Sequence, residues 1–256
     1  MLFPFLGSEW YFSWGYSRDF WQPSDIHISQ PALGNDFTIH QVQAQDFPQW
    51  NTGLANKDLT DPQYNIRIGH FFDADRSLGV EFNFDHSKYS SILDQTSHIT
   101  GTMGGQPVDM YQQLTTNYFH YDLHNGANHI MLNVVKRFPI VGEINRTFSV
   151  AALAKAGAGI MLPHAENTVL GNNNNVGAKQ FNNWVGLRNG WWQLNGWTTG
   201  IEAGFRFVAY DPVYLELTDK EAFAKLEGVP VYEGTASQEL WMNEIILSVG
   251  FTLSDS

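Results

Sequence analysis

The feature that most constrains the fold is an alternation of apolar with small or polar residues, which recurs along the chain in blocks of about ten residues. The first block covers residues 9–17, and one of its faces carries Trp10, Phe12, Trp14 and Tyr16. The other face carries Tyr11, Ser13 and Gly15. Period-two blocks of this length, separated by turn residues, are typical of strands that cross a membrane in a β-barrel. The alternation therefore predicts an all-β chain.

The same alternation returns in further blocks along the rest of the chain. They cover residues 64–73, 78–85, 129–138, 148–162, 198–207, 213–220 and 245–253. The last block contains an aromatic residue, Phe251, close to its end, and it resembles the C-terminal strands of outer-membrane barrels. Together the blocks predict a closed antiparallel transmembrane β-barrel of about eight strands.

The connections between the blocks alternate in length. Short turns are expected at residues 73–76, 141–145 and 211–212, and long polar connections at residues 87–128, 163–191 and 221–240. Outer-membrane barrels have short periplasmic turns and long extracellular loops, so this pattern predicts which end of the barrel faces the cell exterior. Residues 35–47 also alternate, but another membrane strand would break the even strand number. We therefore expect one domain, residues 1–256, in which residues 20–60 form an extracellular extension between strands one and two.

Composition excludes several classes of protein. No stretch approaches the roughly 18 apolar residues of a membrane helix, and the charged fraction of 16% lies below the roughly 25% of soluble domains. The net charge of -12 argues against a nucleic-acid partner, and the absence of cysteine excludes disulfides and thiolate chemistry. The first residues, MLFPFLGSEW, lack the features of a secretory signal. We therefore interpret the chain as a mature form that has been exported to the bacterial outer membrane.

One set of charged residues falls on the faces opposite the apolar ones, so it is expected to face the barrel interior. The set is Arg67, Glu81, Lys155, Glu202, Arg206, Glu216 and Glu244. A barrel of about eight strands is just wide enough to be filled by its own side chains, and buried charges are costly unless they are paired. We therefore expect a plugged, salt-bridged lumen and no pore. If Phe72 pairs with Arg76 across the turn, Arg67 lies opposite Glu81.

Periodicity alone does not decide which face is outward, and a soluble lipocalin-like carrier would have the reverse arrangement. Bulky aromatic residues favour lipid on the outside, because the interior of a small barrel has little room for them. Tryptophan is also enriched where a membrane meets water. We therefore expect these interfacial anchors: Trp10, Trp14, Trp21, Trp191, Trp192, Trp197 and Trp241.

Polar residues capable of chemistry gather at the predicted extracellular ends of the strands. Catalytic candidates are His86, Lys88, His164 and Glu166, and candidate metal ligands are His120, His124 and His129. Imidazole titrates near neutral pH, so such residues can act as acid or base towards a lipid headgroup, or bind a divalent metal. Their spacing matches no standard metal signature, however, and polar rims are normal for any barrel. We therefore predict no cofactor, and a divalent metal at the outer rim stays an open alternative.

Three segments resemble a known family: YNIRIGHFFDADRSLGVEFNFDHSKY, HNGANHIMLNVVKRFPI and SVAALAKAGAGIMLPHAEN. They are similar to the outer-membrane barrels of the lipid A oxidase-like family, over residues 64–167 and more loosely in the C-terminal half. The resemblance implies an eight-stranded barrel in the outer membrane and oxidation of the proximal sugar of lipid A. Positions that match recurrent family motifs are His86, Lys88, Asn125, Gly126, Asn128, Pro163, His164 and Glu166.

Two functions remain for such a chain. The common motifs of soluble enzymes are absent from the sequence. The function we favour is a structural or interaction protein at the cell surface, which contacts outer-membrane lipid, lipopolysaccharide or other outer-membrane proteins in a larger membrane complex. The alternative is an enzyme that modifies lipid A, an oxidoreductase with its site at the outer rim.

Overall fold

The computed structural model describes residues 8–49, 59–60, 62–144, 147–174, 185–186 and 190–254. Parts of the predicted segments 20–60, 141–145 and 163–191 therefore lie outside the described residues. Apart from one 3-10 turn, Pro31–Leu33, the regular structure is β-strand. The strands are β1 (Glu9–Trp21), β2 (Ser24–Gln30), β3 (Asn35–Val42), β4 (Ala44–Gln45), β5 (Tyr64–Phe71), β6 (Leu78–Asp85), β7 (Tyr89–Ser91), β8 (Thr96–Met103), β9 (Gln106–Gln113), β10 (Phe119–Leu123), β11 (Ala127–Val141), β12 (Ser149–Pro163), β13 (Glu166–Val169), β14 (Asn172–Asn173), β15 (Val185–Gly186), β16 (Trp192–Gln193), β17 (Gly196–Tyr210), β18 (Val213–Val231) and β19 (Gly234–Ser254). Within these residues, no helix is long and apolar enough to cross a membrane.

Eight of these strands close into an antiparallel barrel. The order around the barrel is β1, β5, β6, β11, β12, β17, β18 and β19. The barrel closes because β19 pairs back onto β1 along the whole of β1, from Glu9 opposite Ser254 to Trp21 opposite Met242. Each alternating block of the sequence coincides with one barrel strand, so the predicted fold class is confirmed.

The hairpin β5–β6 has a different register from the predicted one. Arg67 lies opposite Asn83, and Glu81 lies opposite Gly69, so the expected cross-strand pair Arg67–Glu81 is wrong by two residues. The reason is a longer turn. The carboxylate of Asp73 accepts hydrogen bonds from the backbone N–H groups of Ser77 and Leu78, at 2.7 and 2.8 Å. A shift of two residues keeps every side chain on its predicted face.

The outer surface of the barrel is apolar. On β19, a run of exposed hydrophobic side chains points outward: Ile245, Leu247, Val249, Phe251 and Leu253. The residues that point inward between them, such as Ser248, are buried. Exposed apolar and buried polar side chains reverse the arrangement of a soluble domain. The run covers residues 245–253, close to the about 9–11 residues that a tilted strand needs to cross a bilayer. This half of the barrel therefore spans lipid, which excludes the lipocalin-like arrangement.

The polarity of the two faces inverts partway along the longest strands. In the lower part of β18, the outward residues Val213, Leu215 and Leu217 are apolar, and the inward residues Tyr214, Glu216, Thr218 and Lys220 are polar. In the upper part, the inward residues become apolar and buried, with Ala222, Ala224 and Leu226, and the outward residues include Lys225 and Glu227. Lipid below and water above account for this inversion, so the membrane boundary lies near Lys220.

Above this boundary the barrel wall continues as an extracellular extension built from two sheets. In the first sheet, β2, β3, β8 and β9 add in that order to the upper part of β19. In the second sheet the order is β14, β13, β10, β7 and β4. Buried side chains from both sheets form one hydrophobic core, which includes Ile28, Phe37, Ile99, Phe119 and Tyr121. The extension is therefore apolar inside and polar outside, as in a soluble β-sandwich.

Two of the long connections expected from the sequence are folded differently. Residues 221–240 were expected to be a polar connection, but they form the upper arms of the β18–β19 hairpin, in which Leu226 lies opposite Gln238. Residues 87–128 contain β7 to β10, and residues 35–47 contain β3 and β4, which belong to the extension. Asn172–Asn173, within the long polar connection expected at residues 163–191, form β14.

Candidate functional site

The lumen is filled by a network of ion pairs centred on Lys155. The Nζ atom of Lys155 lies 3.0 Å from Glu81, 3.0 Å from Glu202 and 2.8 Å from Glu216, and all four side chains are buried. Arg206 lies beside Glu216, with its Nε atom 3.0 Å from Oε2. One lysine is therefore the shared partner of three buried carboxylates in the lumen.

Arg67 connects this centre to a second group of charges nearer the extracellular side. Its guanidinium lies 3.5 Å from Glu202, 3.6 Å from Glu81 and in direct contact with Asp85. Lys220 bonds the same Asp85 and lies 3.7 Å from Glu244. The structure thus brings together the seven charged residues expected in the lumen and adds Asp85 and Lys220. We call these nine residues the lumen network.

The two added residues, Asp85 and Lys220, are the last inward residues of their alternating blocks. Asp85 ends the block of residues 78–85, and it shares the inward face of Glu81 and Asn83. Lys220 ends the block of residues 213–220, two positions beyond Thr218 on the inward face. Strict continuation of the period-two pattern would have found both. At the opposite, periplasmic end of the lumen, Arg137 and Glu9 form a further buried ion pair, with Nη1 of Arg137 3.0 Å from Oε1 of Glu9.

The rim cluster is a chain of five side chains on the extracellular side: His120, Asp122, His124, Glu166 and His164. Asp122 lies 3.1 Å from both His120 and His124, through its two carboxylate oxygens. Glu166 lies 3.2 Å from His124 and 3.1 Å from His164. The pairing of β10 with β13 places Asp122 opposite Glu166, which is why residues far apart in sequence meet.

His164 is held from both sides at the buried end of the rim cluster. Its Nδ1 atom donates to the backbone carbonyl of Trp191 at 2.6 Å, and its ring stacks on the Trp191 indole at 3.9 Å. A cavity of about 400 Å³ opens beside the cluster, with His120, Asp122 and Glu166 in its lining. The rim cluster can therefore pass protons among its members and present both carboxylates to a polar ligand.

The electrostatics of the rim cluster favour a charged pair of Asp122 and His124. Burial raises the pKa of Asp122, but hydrogen bonds from His120, His124 and Ser90 outweigh burial and lower it to about 2. The hydrogen bond to Asp122 raises the pKa of His124 against the opposing effect of burial. The contribution of His124 to stability is therefore present below about pH 6.5 and is lost as the pH rises through its folded-state pKa. The contribution of Asp122 is present above about pH 4 and is lost as the pH falls towards about 2.

We expect the His124 imidazole to titrate above about pH 6.5, and the Asp122→Asn variant to lower its pKa towards that value. The cause is loss of the anionic partner, since an amide cannot stabilise the imidazolium as a carboxylate does. The measurement is a pH titration of the histidine ring signals by NMR in detergent micelles. Asp109→Asn, which removes the partner of His98, is the matched control and should leave His124 unchanged. An unchanged His124 titration in Asp122→Asn would contradict the pairing.

The remaining candidate residues lie outside the rim cluster. His86 is buried, and its Nδ1 atom donates to the side chain of Asn128 at 2.7 Å. Lys88 is also buried, and its ammonium contacts Gln49. His129 faces the barrel interior, where Nδ1 lies 2.9 Å from Thr198, so the three metal candidates do not share one site. In the described parts of the chain, no three histidine or carboxylate groups are arranged to hold a metal.

The seven tryptophans expected as interfacial anchors occupy different environments. Trp10, Trp197 and Trp241 are exposed on the outer surface, and Trp14 stacks on Tyr64 at 4.9 Å. Trp21 is only 8% exposed, because it lies on the inward face of β1 and donates to the carbonyl of Lys88 inside the extension. Its expected role as an interfacial anchor is therefore wrong. Trp191 and Trp192 are half-buried at the rim, against His164 and Phe84.

A second polar cluster, which sequence reasoning missed, covers the outer face of the first extension sheet. It consists of the pairs His27–Asp36 (3.0 Å), His40–Asp25 (2.9 Å) and His98–Asp109 (2.7 Å). His40 also bonds Thr100 through its second ring nitrogen, at 2.8 Å. The signal was present in the sequence, because β2, β3, β8 and β9 carry these residues at period-two spacing.

Comparisons with known proteins give only distant likenesses. No family model matches the chain, and no curated protein matches it. Among solved structures it is similar to the outer membrane protein OprG from Pseudomonas aeruginosa, with 8% identity, 96% of each chain covered and a TM-score of 0.40. It is similar to the outer membrane protease OmpT from Escherichia coli, with 7% identity, 99% of each chain covered and a TM-score of 0.35. It is also similar to Ail, the attachment invasion locus protein of Yersinia pestis, with 12% identity, 96% of this chain and 99% of that chain covered and a TM-score of 0.34. The barrel fold is established by the strand pairing of this chain itself.

Proposed function

We propose that this chain is an integral protein of the bacterial outer membrane that acts at the cell surface as a structural or interaction protein. The observation that carries the proposal is the inversion of polarity along β18 and β19, which places half of each strand in lipid and half in water. A closed barrel with this inversion presents a rigid folded extension on one side of the membrane. Charged side chains fill the lumen, so the described barrel has no open channel through which a solute could be transported.

The surface at the membrane boundary supports lipopolysaccharide as the partner. The outward rings of Trp197, Phe223 and Trp241 lie on three adjacent strands, with centroid distances of 5.5 and 5.0 Å. They lie just above the apolar belt, where aromatic side chains favour the interface. Lipopolysaccharide headgroups occupy this level in the outer leaflet, so these rings are positioned to contact them.

We expect the double variant Trp197→Ala, Trp241→Ala to bind lipopolysaccharide about tenfold more weakly, because two aromatic contacts of about 0.5–1.5 kcal/mol each are removed. The measurement is surface plasmon resonance of the detergent-solubilised protein on immobilised lipopolysaccharide. Phe207→Ala is the matched control, since Phe207 is exposed on the same strand as Trp197 but near its opposite end. Failure of the unmodified protein to bind would rule out lipopolysaccharide as the partner.

A second candidate function is modification of lipid A by an oxidoreductase of the outer rim. The observation that favours it is the rim cluster, which joins three histidines and two carboxylates beside a cavity. His164 follows the outward residue Ile160 by four positions, about 13 Å along the strand, so the cluster lies at the height of lipid headgroups. Mass spectrometry of lipid A from cells with and without the protein tests this function. Identical lipid A in both would eliminate the enzyme.

A further inference from the structure

The charges buried in the described barrel interior do not balance. The buried carboxylates below Trp21 are Glu9, Asp19, Glu81, Asp85, Glu202, Glu216 and Glu244, and the buried bases are Arg67, Arg137, Lys155, Arg206 and Lys220. Seven carboxylates against five bases leave an excess of two negative charges. An uncompensated buried charge is too costly to persist, so something other than these bases must neutralise it.

The imbalance is localised at Asp19. Six of the carboxylates lie within 4 Å of a lysine or arginine of the network, but Asp19 has no such partner among the described residues. Asp19 is only 3% exposed, and among the described residues the only hydrogen-bonding group offered to its carboxylate is the neighbouring hydroxyl of Ser17. Lys88, the other buried base nearby, directs its ammonium to Gln49. Within the described parts of the chain, Asp19 is therefore a buried carboxylate without a compensating base.

Further buried oxygen atoms lie on the residues next to Asp19. Glu244 lies directly opposite it across the β1–β19 ladder, and its Oε2 atom has no hydrogen-bond partner. Ser17, on the same inward face two positions away, has its buried hydroxyl beside the Asp19 carboxylate. Asn65 donates to Glu244 at 2.6 Å, which leaves its own carbonyl oxygen without a partner. Two carboxylates, one hydroxyl and one amide are thus linked as neighbours in the lumen, with Asp19 beside Ser17 and Glu244, and Glu244 beside Asn65.

We propose that Asp19 and Glu244, with Ser17 and Asn65, bind a divalent hard cation of the Ca²⁺ type inside the barrel. Ca²⁺ takes oxygen ligands only, from carboxylates, amides, hydroxyls and water, and it accepts irregular geometry. One divalent ion neutralises the excess of two charges. The site lies at the boundary between the lumen network and the apolar core of the extension, because Trp21 is the next inward residue after Asp19. The ion therefore caps the lumen network, and this site is separate from the rim cluster.

The test is thermal unfolding of protein refolded in detergent free of lipopolysaccharide, in Ca²⁺ or in EDTA. We expect Ca²⁺ at about one hundred times its dissociation constant to raise the Tm by about 5–10 °C. In Asp19→Asn this shift should disappear, and the variant in EDTA should unfold at a higher temperature than the unmodified protein in EDTA. Asp36→Asn, which removes an exposed carboxylate of the extension, should keep the full response to Ca²⁺.

Direct binding keeps the proposal testable if a variant does not fold. Equilibrium dialysis of the unmodified protein with radioactive Ca²⁺ should give one tightly bound ion per chain, and Ser17→Ala should weaken its binding. The proposal is overturned if the Tm is the same in Ca²⁺ and EDTA, or if Asp19→Asn responds as the unmodified protein does. A Tm that rises with acid but not with Ca²⁺ would assign neutralisation to a proton and would also overturn it.

Discussion

Replacing Lys155 with methionine should destabilise the barrel by about 3–5 kcal/mol, the cost of breaking a buried ion pair by removing one partner. Methionine has nearly the length of lysine, so the packing of the lumen is preserved and only the charge is lost. Glu81, Glu202 and Glu216 would then share the remaining arginines. The effect is large because one ammonium is the common partner of three buried carboxylates.

The measurement is the midpoint of urea unfolding for protein refolded into lipid vesicles. Lys225→Met is the matched control, because Lys225 lies on the exposed face of β18 and pairs with exposed carboxylates. The control should leave the midpoint of unfolding almost unchanged, as for other surface ion pairs. If both variants unfold at the same urea concentration, Lys155 does not have the structural role assigned to it.

Replacing Val249 with arginine should cost about 2–4 kcal/mol, the penalty for a charged side chain at the midplane on the lipid face of a barrel. Val249 is 54% exposed and lies at the centre of the outward apolar run of β19. In a protein surrounded by water, such an exposed position would accept arginine with almost no cost. The size of the effect therefore reports lipid at this surface.

Ser237→Arg supplies the comparison for Val249→Arg. Ser237 lies on the same strand and the same outward face, above the membrane boundary, so arginine there should change stability by less than about 0.5 kcal/mol. Both free energies of unfolding come from the same vesicle assay. Equal effects at the two positions would mean that the boundary does not lie between them.

The barrel strands were predictable because the membrane-spanning part of each one carries its apolar residues mainly on the outward face. That pattern requires no knowledge of the partner strands. The register of β5 and β6 was not predictable, since it depends on the Asp73 side chain accepting two backbone hydrogen bonds within the turn. Residues 221–240 also alternate, but Lys225 and Glu227 occupy the outward positions there, which gave the segment the composition of a loop. In this segment the period-two alternation continues, but the apolar residues face inward and the polar residues face outward.

The candidate site was predictable only in part. The extended segment of His120, Asp122 and His124 places these residues on one face, and in the structure Asp122 lies 3.1 Å from each of the two histidines. Their connection to His164 through Glu166 depends on the pairing of β10 with β13, which joins segments about forty residues apart. Trp21 could have been excluded as an interfacial anchor, because the period-two pattern places it on the inward face with Tyr11 and not on the outward face with Trp10. For Asp19, the sequence indicates only that its side chain lies on the inward face of β1.

The most direct test of the membrane boundary uses single cysteines along the outward face of β18, because the chain has no cysteine of its own. Spin labels at Leu215→Cys, Leu217→Cys, Lys225→Cys and Glu227→Cys, in vesicles, report collision rates with oxygen, which concentrates in lipid, and with a water-soluble nickel complex. We predict that oxygen dominates at positions 215 and 217 and nickel at positions 225 and 227. Equal access of the nickel complex to all four positions would contradict a strand that passes from lipid into water.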